Sequence, residues 1–445
     1  MNVGSQVKQA DRLWRRASYW LLLLGPFFFL SYSFANYLAS QQSNVPSIVF
    51  EWEHYIPFIP WTIIPYWFID LFYVVSLFIC TTQKELDSHA KRLLLTQCIA
   101  VIFFIAFPLT FIVERPESSG IASVMFTALD GFDKPFNQAP SLHISLLIVL
   151  WVVFARHLTK FMLWFCHAFA LLIGVSVLTT YQHHFIDIPT GILLGMFCLW
   201  VLPDNANSPL RLQLSQDPRR WRLGLYYGVA ALVLVVFSMI GGAALWLLWP
   251  AWSLMMVSLF YFMLGENGFQ KNSRGQLSLA IRWMLFPYLI AARINALLWT
   301  RNLQSANHVI DNVYLGRFPS KKEIHSGRYL TVVDMTAEFH APHSTIQWHA
   351  IPSLDLITPA SASLISAAQV IEQANRDKGL LVCCGLGYSR STLAILSWLL
   401  ISKRADSVNE AVAIIKKVRP QIVLKETDYT VLETIRKSRP LGGNA

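Results

Sequence analysis

What most limits the folds open to this chain is the recurrence of apolar runs long enough to cross a bilayer, which takes about 20 apolar residues. About eight are visible: Tyr19 to Ala39, Pro60 to Thr81, Leu93 to Val113, Leu142 to Phe154, Phe161 to Thr179, Ile188 to Leu202, Leu223 to Leu248 and Trp252 to Leu264. The composition agrees, because 54% hydrophobic and 14% charged residues are too apolar for an ordinary soluble chain. Charge is unevenly spread: Arg301 to the end holds 17 Lys/Arg and 12 Asp/Glu, against 19 and 14 in the twice-longer stretch before it. A multi-span all-α membrane domain over 1–270 is therefore expected, then an interfacial helix and linker over 271–305, and a C-terminal α/β domain over 306–445.

Basic residues orient such a chain, since Lys and Arg collect on the cytoplasmic side. Lys8, Arg12, Arg15 and Arg16 precede the first run; Lys84, Lys91 and Arg92 follow the second; Arg156 and Lys160 follow the fourth; Arg211, Arg219, Arg220 and Arg222 follow the sixth. Glu114 to Ser141 and Tyr181 to Asp187 then fall on the external face. The formal charge of +10 is read chiefly as the product of these basic loops. No cleavable signal is evident, and the first run reads as a retained anchor. Leu277 to Trp299 is apolar but carries Arg282 and Arg293, 11 residues apart on one helix face, so it is expected to lie in the headgroup interface, leaving the C-terminal domain cytoplasmic. Cys80, Cys98, Cys166 and Cys198 sit in apolar runs, with only Cys383 and Cys384 beyond them, which argues against a disulfide framework. A multi-pass protein of a bacterial inner membrane is the expectation.

From Val309 short strand-like runs, Val313 to Leu315, Leu330 to Asp334, Trp348 to Ile351 and Leu380 to Cys383, alternate with helical stretches at Ala360 to Asn375, Ser391 to Ser402 and Val408 to Val418. The most specific signal lies between the fourth strand and its helix: Cys384-Gly385-Leu386-Gly387-Tyr388-Ser389-Arg390-Ser391. Successive backbone N–H groups ending at a helix N-terminus make a nest for a phosphate dianion, and the glycines permit the turn. Arg390 closes the loop with a planar fork suited to two phosphoryl oxygens. Such surroundings favour a thiolate, the form that attacks phosphorus.

This segment resembles the dual-specificity branch of the protein tyrosine phosphatase superfamily, whose signature is Cys-x5-Arg followed by Ser or Thr. Asn312-Val313-Tyr314-Leu315-Gly316 resembles its opening strand, Val333-Asp334-Met335-Thr336 its second, and Val418-Arg419-Pro420 a late Arg-Pro. The resemblance implies a dual-specificity phosphatase-like α/β domain. In it Cys384 is the nucleophile, Gly385, Leu386, Gly387, Tyr388 and Ser389 cradle phosphate, Arg390 binds the transferring group, and Ser391 helps the thiolate leave. Asp355, 29 residues before the cysteine, would be the general acid. The family usually has His before the nucleophile; Cys383 stands there, a vicinal thiol able to form a protective disulfide under oxidation.

Polar clusters also recur where external loops meet the spans: Arg115-Pro116, Pro140-Ser141-Leu142-His143 and His183-His184-Phe185-Ile186-Asp187. Their order resembles the type 2 phosphatidic-acid phosphatase superfamily, in its branch related to inositol-phosphorylceramide and sphingomyelin synthases. The resemblance implies His183 as nucleophile, Asp187 holding its tautomer, His143 protonating the leaving alkoxide, and Arg115 and Ser141 contacting phosphate. If a helix begins early enough, four-residue spacing puts His183 and Asp187 on one face. The wider superfamily has a Lys where this chain has Pro108 and an Arg where it has Val177; Lys134 in the same loop is a possible substitute. His184 reads as a bystander.

Together these signals lead us to expect an integral membrane phosphatase acting on phospholipid or other phosphorylated lipids, with the bilayer as its partner. No cofactor, metal or nucleic acid is expected, since no Walker sequence, zinc spacing or acidic cluster appears. The alternatives give the membrane part head-group transfer or a silent anchoring role, the C-terminal domain then acting on phosphotyrosine.

Overall fold

The computed structural model describes residues 3–204, 208–210, 213–374 and 379–438. Arg211 and Asn375, and the side chain of Lys8, lie outside the described residues. The chain divides into two compact units, Met1–Ser208 with Gly241–Ala243, and Pro209–Ile240 with Ala244–Ala445. The sequence boundary at 270/271 thus falls inside the second unit. Among the described residues, six helices are long and apolar enough to cross a membrane: Arg12–Ser40, Pro60–Phe78, Gln83–Ala106, Lys160–Thr179, Pro218–Ser238 and Gly242–Phe269.

In the first unit, two of the expected spans are shorter helices, Leu142–His157 and Asp187–Val201, of 16 and 15 residues. At 1.5 Å per residue each covers roughly 24 Å or less, short of a 30 Å hydrocarbon core. They are short because each begins at a polar loop bearing the His/Asp cluster, and they pack tightly. Cβ atoms built on Gly191 and Gly195 would lie 2.7 Å from the Ser141 carbonyl oxygen and 2.8 Å from Ile148 Cβ, so a Gly-x3-Gly stripe is what lets the helices approach. Ser141 caps the first of them, its hydroxyl accepting from the Ile144 N–H at 3.3 Å. Arg92, 1% exposed, donates to the Leu202 carbonyl at 2.8 Å, satisfying the C-terminus of the second.

The second unit starts with the helices Pro218–Ser238 and Leu248–Leu259, the latter running into a π-helical turn at Phe260–Leu264. The stretch expected to be one interfacial helix is broken at Leu285 into Leu279–Met284 and Phe286–Thr300. Both pieces are too short to cross a bilayer, and Arg282 and Arg293, one on each, border the same cavity. Arg293 donates to the Phe318 carbonyl at 3.3 Å and lies 5.4 Å from that ring. Helix Phe286–Thr300 turns Ala292 and Ala296 onto the sheet, while Ile290, Ile294, Leu297, Leu298 and Trp299 stay exposed.

Five strands follow: β1 (Ala306–Ile310), β2 (Val313–Arg317), β3 (Tyr329–Thr336), β4 (Gln347–Ser353) and β5 (Gly379–Cys384). Their order is β1-β2-β5-β3-β4, with β1 antiparallel to β2 and the remaining pairs parallel. The sequence pattern missed β1, and each of the other four is longer than its apolar run suggested. Along β5, Leu380, Val382 and Cys384 face a core completed by the helices Ser361–Gln373, Arg390–Ile401, Val408–Val418 and Glu426–Lys437. Leu381 and Cys383 face the opposite side, toward Ala296, Phe339 and Trp348. Both faces are covered, as a largely parallel sheet requires. Between helices and sheet, the segment around Ser273 and Gly275 runs beside β4, its carbonyls accepting from Ala350 N–H at 2.9 Å and Ala341 N–H at 2.8 Å. Lys271 is fully buried, its ammonium 2.5 Å from Asp334 Oδ2, 2.7 Å from the Thr336 carbonyl and 2.9 Å from Thr336 Oγ1.

Candidate active site

Central strand β5 ends at Cys384 and the helix Arg390–Ile401 begins six residues later, so the intervening loop must fold back within one turn. Gly387 makes this possible: its φ is +76°, and a Cβ there would lie 2.6 Å from the Gly316 carbonyl carbon. Cys384 Sγ accepts two hydrogen bonds, from the Gly387 N–H and the Ser391 hydroxyl, each 3.2 Å. Arg419, 1% exposed, holds the loop from beneath through the Leu386 carbonyl at 3.0 Å, and also binds Asn307 Oδ1 at 2.7 Å. The late Arg-Pro signal thus has a structural function: it anchors the loop.

Arg390 is buried, and its fork is already engaged. Nη1 and Nη2 donate to both oxygens of Glu338, at 2.9 and 2.7 Å, while Nη1 also donates to the Ser353 carbonyl at 2.8 Å. Asp355 Oδ1 is 2.8 Å from Nη2. Burial works against charge on Arg390, but Glu338 and Asp355 outweigh it and hold the guanidinium pKa well above its ordinary value. Burial likewise opposes charge on Glu338; the guanidinium prevails and keeps that carboxyl below the usual carboxylate range. Asp355 goes the other way: desolvation raises it although its side chain is 48% exposed, Arg390 opposing and Glu338 adding to the rise. Two carboxylates on one cation are thus split into a permanent anion and a group that keeps its proton longer. Sequence reading missed Glu338, which stands two residues beyond the end of β3 with no local signal to single it out.

Cys383 cannot play the redox part expected of it. Adjacent residues on a strand point to opposite faces, and Cys383 is wholly buried on the side away from Cys384, where burial pushes its thiol pKa well above the ordinary value. A vicinal disulfide would need the strand to come apart.

A cavity of about 380 Å³ opens over Gly385, Leu386 and Arg390, with Glu338 and Asp355 also lining it. Its far side is built by residues that precede the sheet, among them Tyr227, Leu254, Tyr288 and Ala291.

In the first unit the expected residues also converge. His183 Nδ1 is 3.1 Å from Asp187 Oδ2, and its Nε2 is 3.1 Å from Ser141 Oγ. The reason differs from the one expected: the helix begins at Asp187, and His183 lies in the turn before it, held by its N–H to the Val177 carbonyl at 3.1 Å. His143 stacks on Tyr66 with ring centroids 4.2 Å apart, and its buried Nε2 has no hydrogen-bond partner among the described residues. His183 borders two cavities. One, about 390 Å³ and largely apolar, also takes in His143, Tyr66 and Phe28; the other, about 230 Å³, is lined by Arg115, Lys134 and Gln182. Arg115 pairs with Asp130 at 3.1 Å. Lys134 lines the same small cavity as Arg115. His184 binds Glu53 Oε2 at 3.0 Å and Ser47 Oγ at 3.2 Å, tying loops together.

No protein-family model matches the chain, and no curated protein matches it in sequence. Among solved structures it is similar to Tk-PTP in the active form, at 24% identity over 30% of this chain and 97% of that one, with a TM-score of 0.28. PTPMT1 in complex with PI(5)P is 19% identical over 30% and 96%, and human DUSP28 17% over 30% and 95%, both with TM-scores of 0.28.

Proposed function

We propose that this chain is a membrane-embedded phosphomonoester hydrolase working through a cysteinyl-phosphate intermediate at Cys384. The observation that carries the reading is the pairing of a sulfur hydrogen-bonded by Gly387 N–H and Ser391 Oγ–H with a buried, permanently charged Arg390 at the start of the following helix. A phosphate dianion entering the cavity displaces Asp355 from Arg390 Nη2, while Glu338 keeps the fork in plane. The thiolate forms the S–P bond as the P–O bond to the leaving group breaks, and Asp355 gives its proton to the leaving oxygen. Water then attacks phosphorus, Asp355 takes its proton, and the departing thiolate recovers the Ser391 hydrogen bond.

Because Asp355 acts as an acid and its pKa is raised, it stays protonated to higher pH than an ordinary carboxyl, and activity falls as pH rises through that folded value. With an alkyl phosphate, wild type should release phosphate with such a descending limb. Asp355→Asn should lose the limb and fall in kcat by about 10²- to 10⁴-fold. A wild type that releases no phosphate would end the reading, and an unchanged limb in Asp355→Asn would remove Asp355 from it.

The contact of His183 Nδ1 with Asp187, and of Nε2 with Ser141, supports a second phosphoryl-accepting site in the first unit, using His183 as nucleophile and His143 as acid. Whether water or an alcohol takes the phosphoryl group is decided by adding an alcohol acceptor to the same assay.

A further inference from the structure

We propose that the cavity over Gly385, Leu386 and Arg390 continues into an acyl-chain seat made by this chain's own apolar helices, so that its substrate is a phosphorylated lipid held by head and tail at once. This rests on the reading of Cys384 as a phosphatase nucleophile and adds the substrate class. The floor of the cavity is charged and polar, with Arg390, Glu338 and Asp355, whereas Pro250, Leu254, Pro287, Ala291, Ala292 and Ala296 form an apolar wall. Tyr227 and Leu254 belong to Pro218–Ser238 and Gly242–Phe269, both long and apolar enough to cross a bilayer. An apolar tail leaving the cavity along these helices stays out of water, which a phosphopeptide backbone could not do without stripping its amides of partners.

The wall is fastened to the chemistry. Tyr261, in the π-helical turn, donates its hydroxyl to the Asp355 carbonyl at 2.9 Å, so the helix that walls the cavity also holds the loop carrying the acid. Tyr388, in the phosphate loop, donates to the Trp299 carbonyl at 3.2 Å. Tyr227 stands between Tyr261 and Tyr288, with ring centroids 5.5 and 5.9 Å away, placing aromatic edges where a glycerol-like linker passes from polar floor to apolar wall. The small side chains of Ala291, Ala292 and Ala296 leave the width a hydrocarbon chain needs.

The full chain carrying Cys384→Ser, in lipid nanodiscs, is exposed to a phosphatidate with a photoreactive diazirine in one acyl chain. Label on 248–264 or 286–300, suppressed by orthovanadate, is the expected result; label absent from both helices, or unaffected by orthovanadate, overturns the proposal. As a second readout, Leu254→Trp and Ala291→Trp should lower the ratio of kcat/KM for dioctanoyl over dibutanoyl phosphatidate by on the order of tenfold, since each seated methylene is worth about fourfold. A ratio equal to wild type in both variants also overturns it. Failure of the underlying reading shows separately, as phosphate release from phenyl phosphate that survives Cys384→Ser.

Discussion

In Cys384→Ser, turnover of an aryl phosphate falls by at least on the order of 10⁴-fold, while KM stays close to wild type. The split follows from the geometry. Serine leaves the loop, the helix N-terminus and the Arg390 fork in place, so the ground-state anion is still bound. What is lost is an anion that the Gly387 N–H and Ser391 hydroxyl, both 3.2 Å from the sulfur, stabilise; a serine hydroxyl keeps its proton under the same two donors. Steady-state kinetics over a range of substrate concentration separates the two parameters. Retention of more than a tenth of wild-type kcat would mean that the sulfur is not the atom that attacks.

The second large effect is on stability. Lys271→Met leaves Asp334 buried, with its partners reduced to Trp348 Nε1 at 3.1 Å and the Thr336 N–H and hydroxyl at 2.9 and 2.7 Å. Breaking a buried pair by deleting one member costs about 3–5 kcal/mol, because the other charge stays desolvated. Lys271 lies between the apolar helices and the sheet, so its loss loosens the wall of the cavity as well as β3. Heat inactivation of the phosphatase activity should therefore occur at a clearly lower temperature in Lys271→Met. Adding Asp334→Leu should recover much of the difference, since an apolar pair of similar volume removes the unpaired charge. A midpoint equal to wild type in the single variant would mean that the pair is balanced by solvent.

Much of the Cys384–Ser391 loop's geometry was legible because a nest of amides needs a fixed order of residue types: a strand, a residue at its end, glycine at the left-handed turn and an arginine opening a helix. Gly387 and Arg390 sit as that order demands. Glu338 was hidden because its partner is 52 residues away in sequence, and no local pattern marks a carboxylate as the clamp of a distant guanidinium. Lys271 was hidden for the same reason, and hydropathy alone places it in a linker. Hydropathy marked Leu142 to Phe154 and Ile188 to Leu202 as spans where the helices are 16 and 15 residues long, because it does not separate a helix buried among other helices from one in lipid. The contribution of Tyr227, Leu254 and Ala291 to the cavity could not be read at all, since it depends on a tertiary approach of apolar helices to the phosphate loop.

The account depends on a phosphoryl group passing through Cys384. The most direct measurement is rapid acid quenching of the wild-type chain during turnover of an aryl phosphate, followed by peptide mass spectrometry. A phosphoryl group on the peptide containing Cys384, absent in Cys384→Ser and longer-lived when Ser391 is replaced by Ala, is the predicted result. Turnover with no phosphoryl group on that cysteine at any quench time would contradict it.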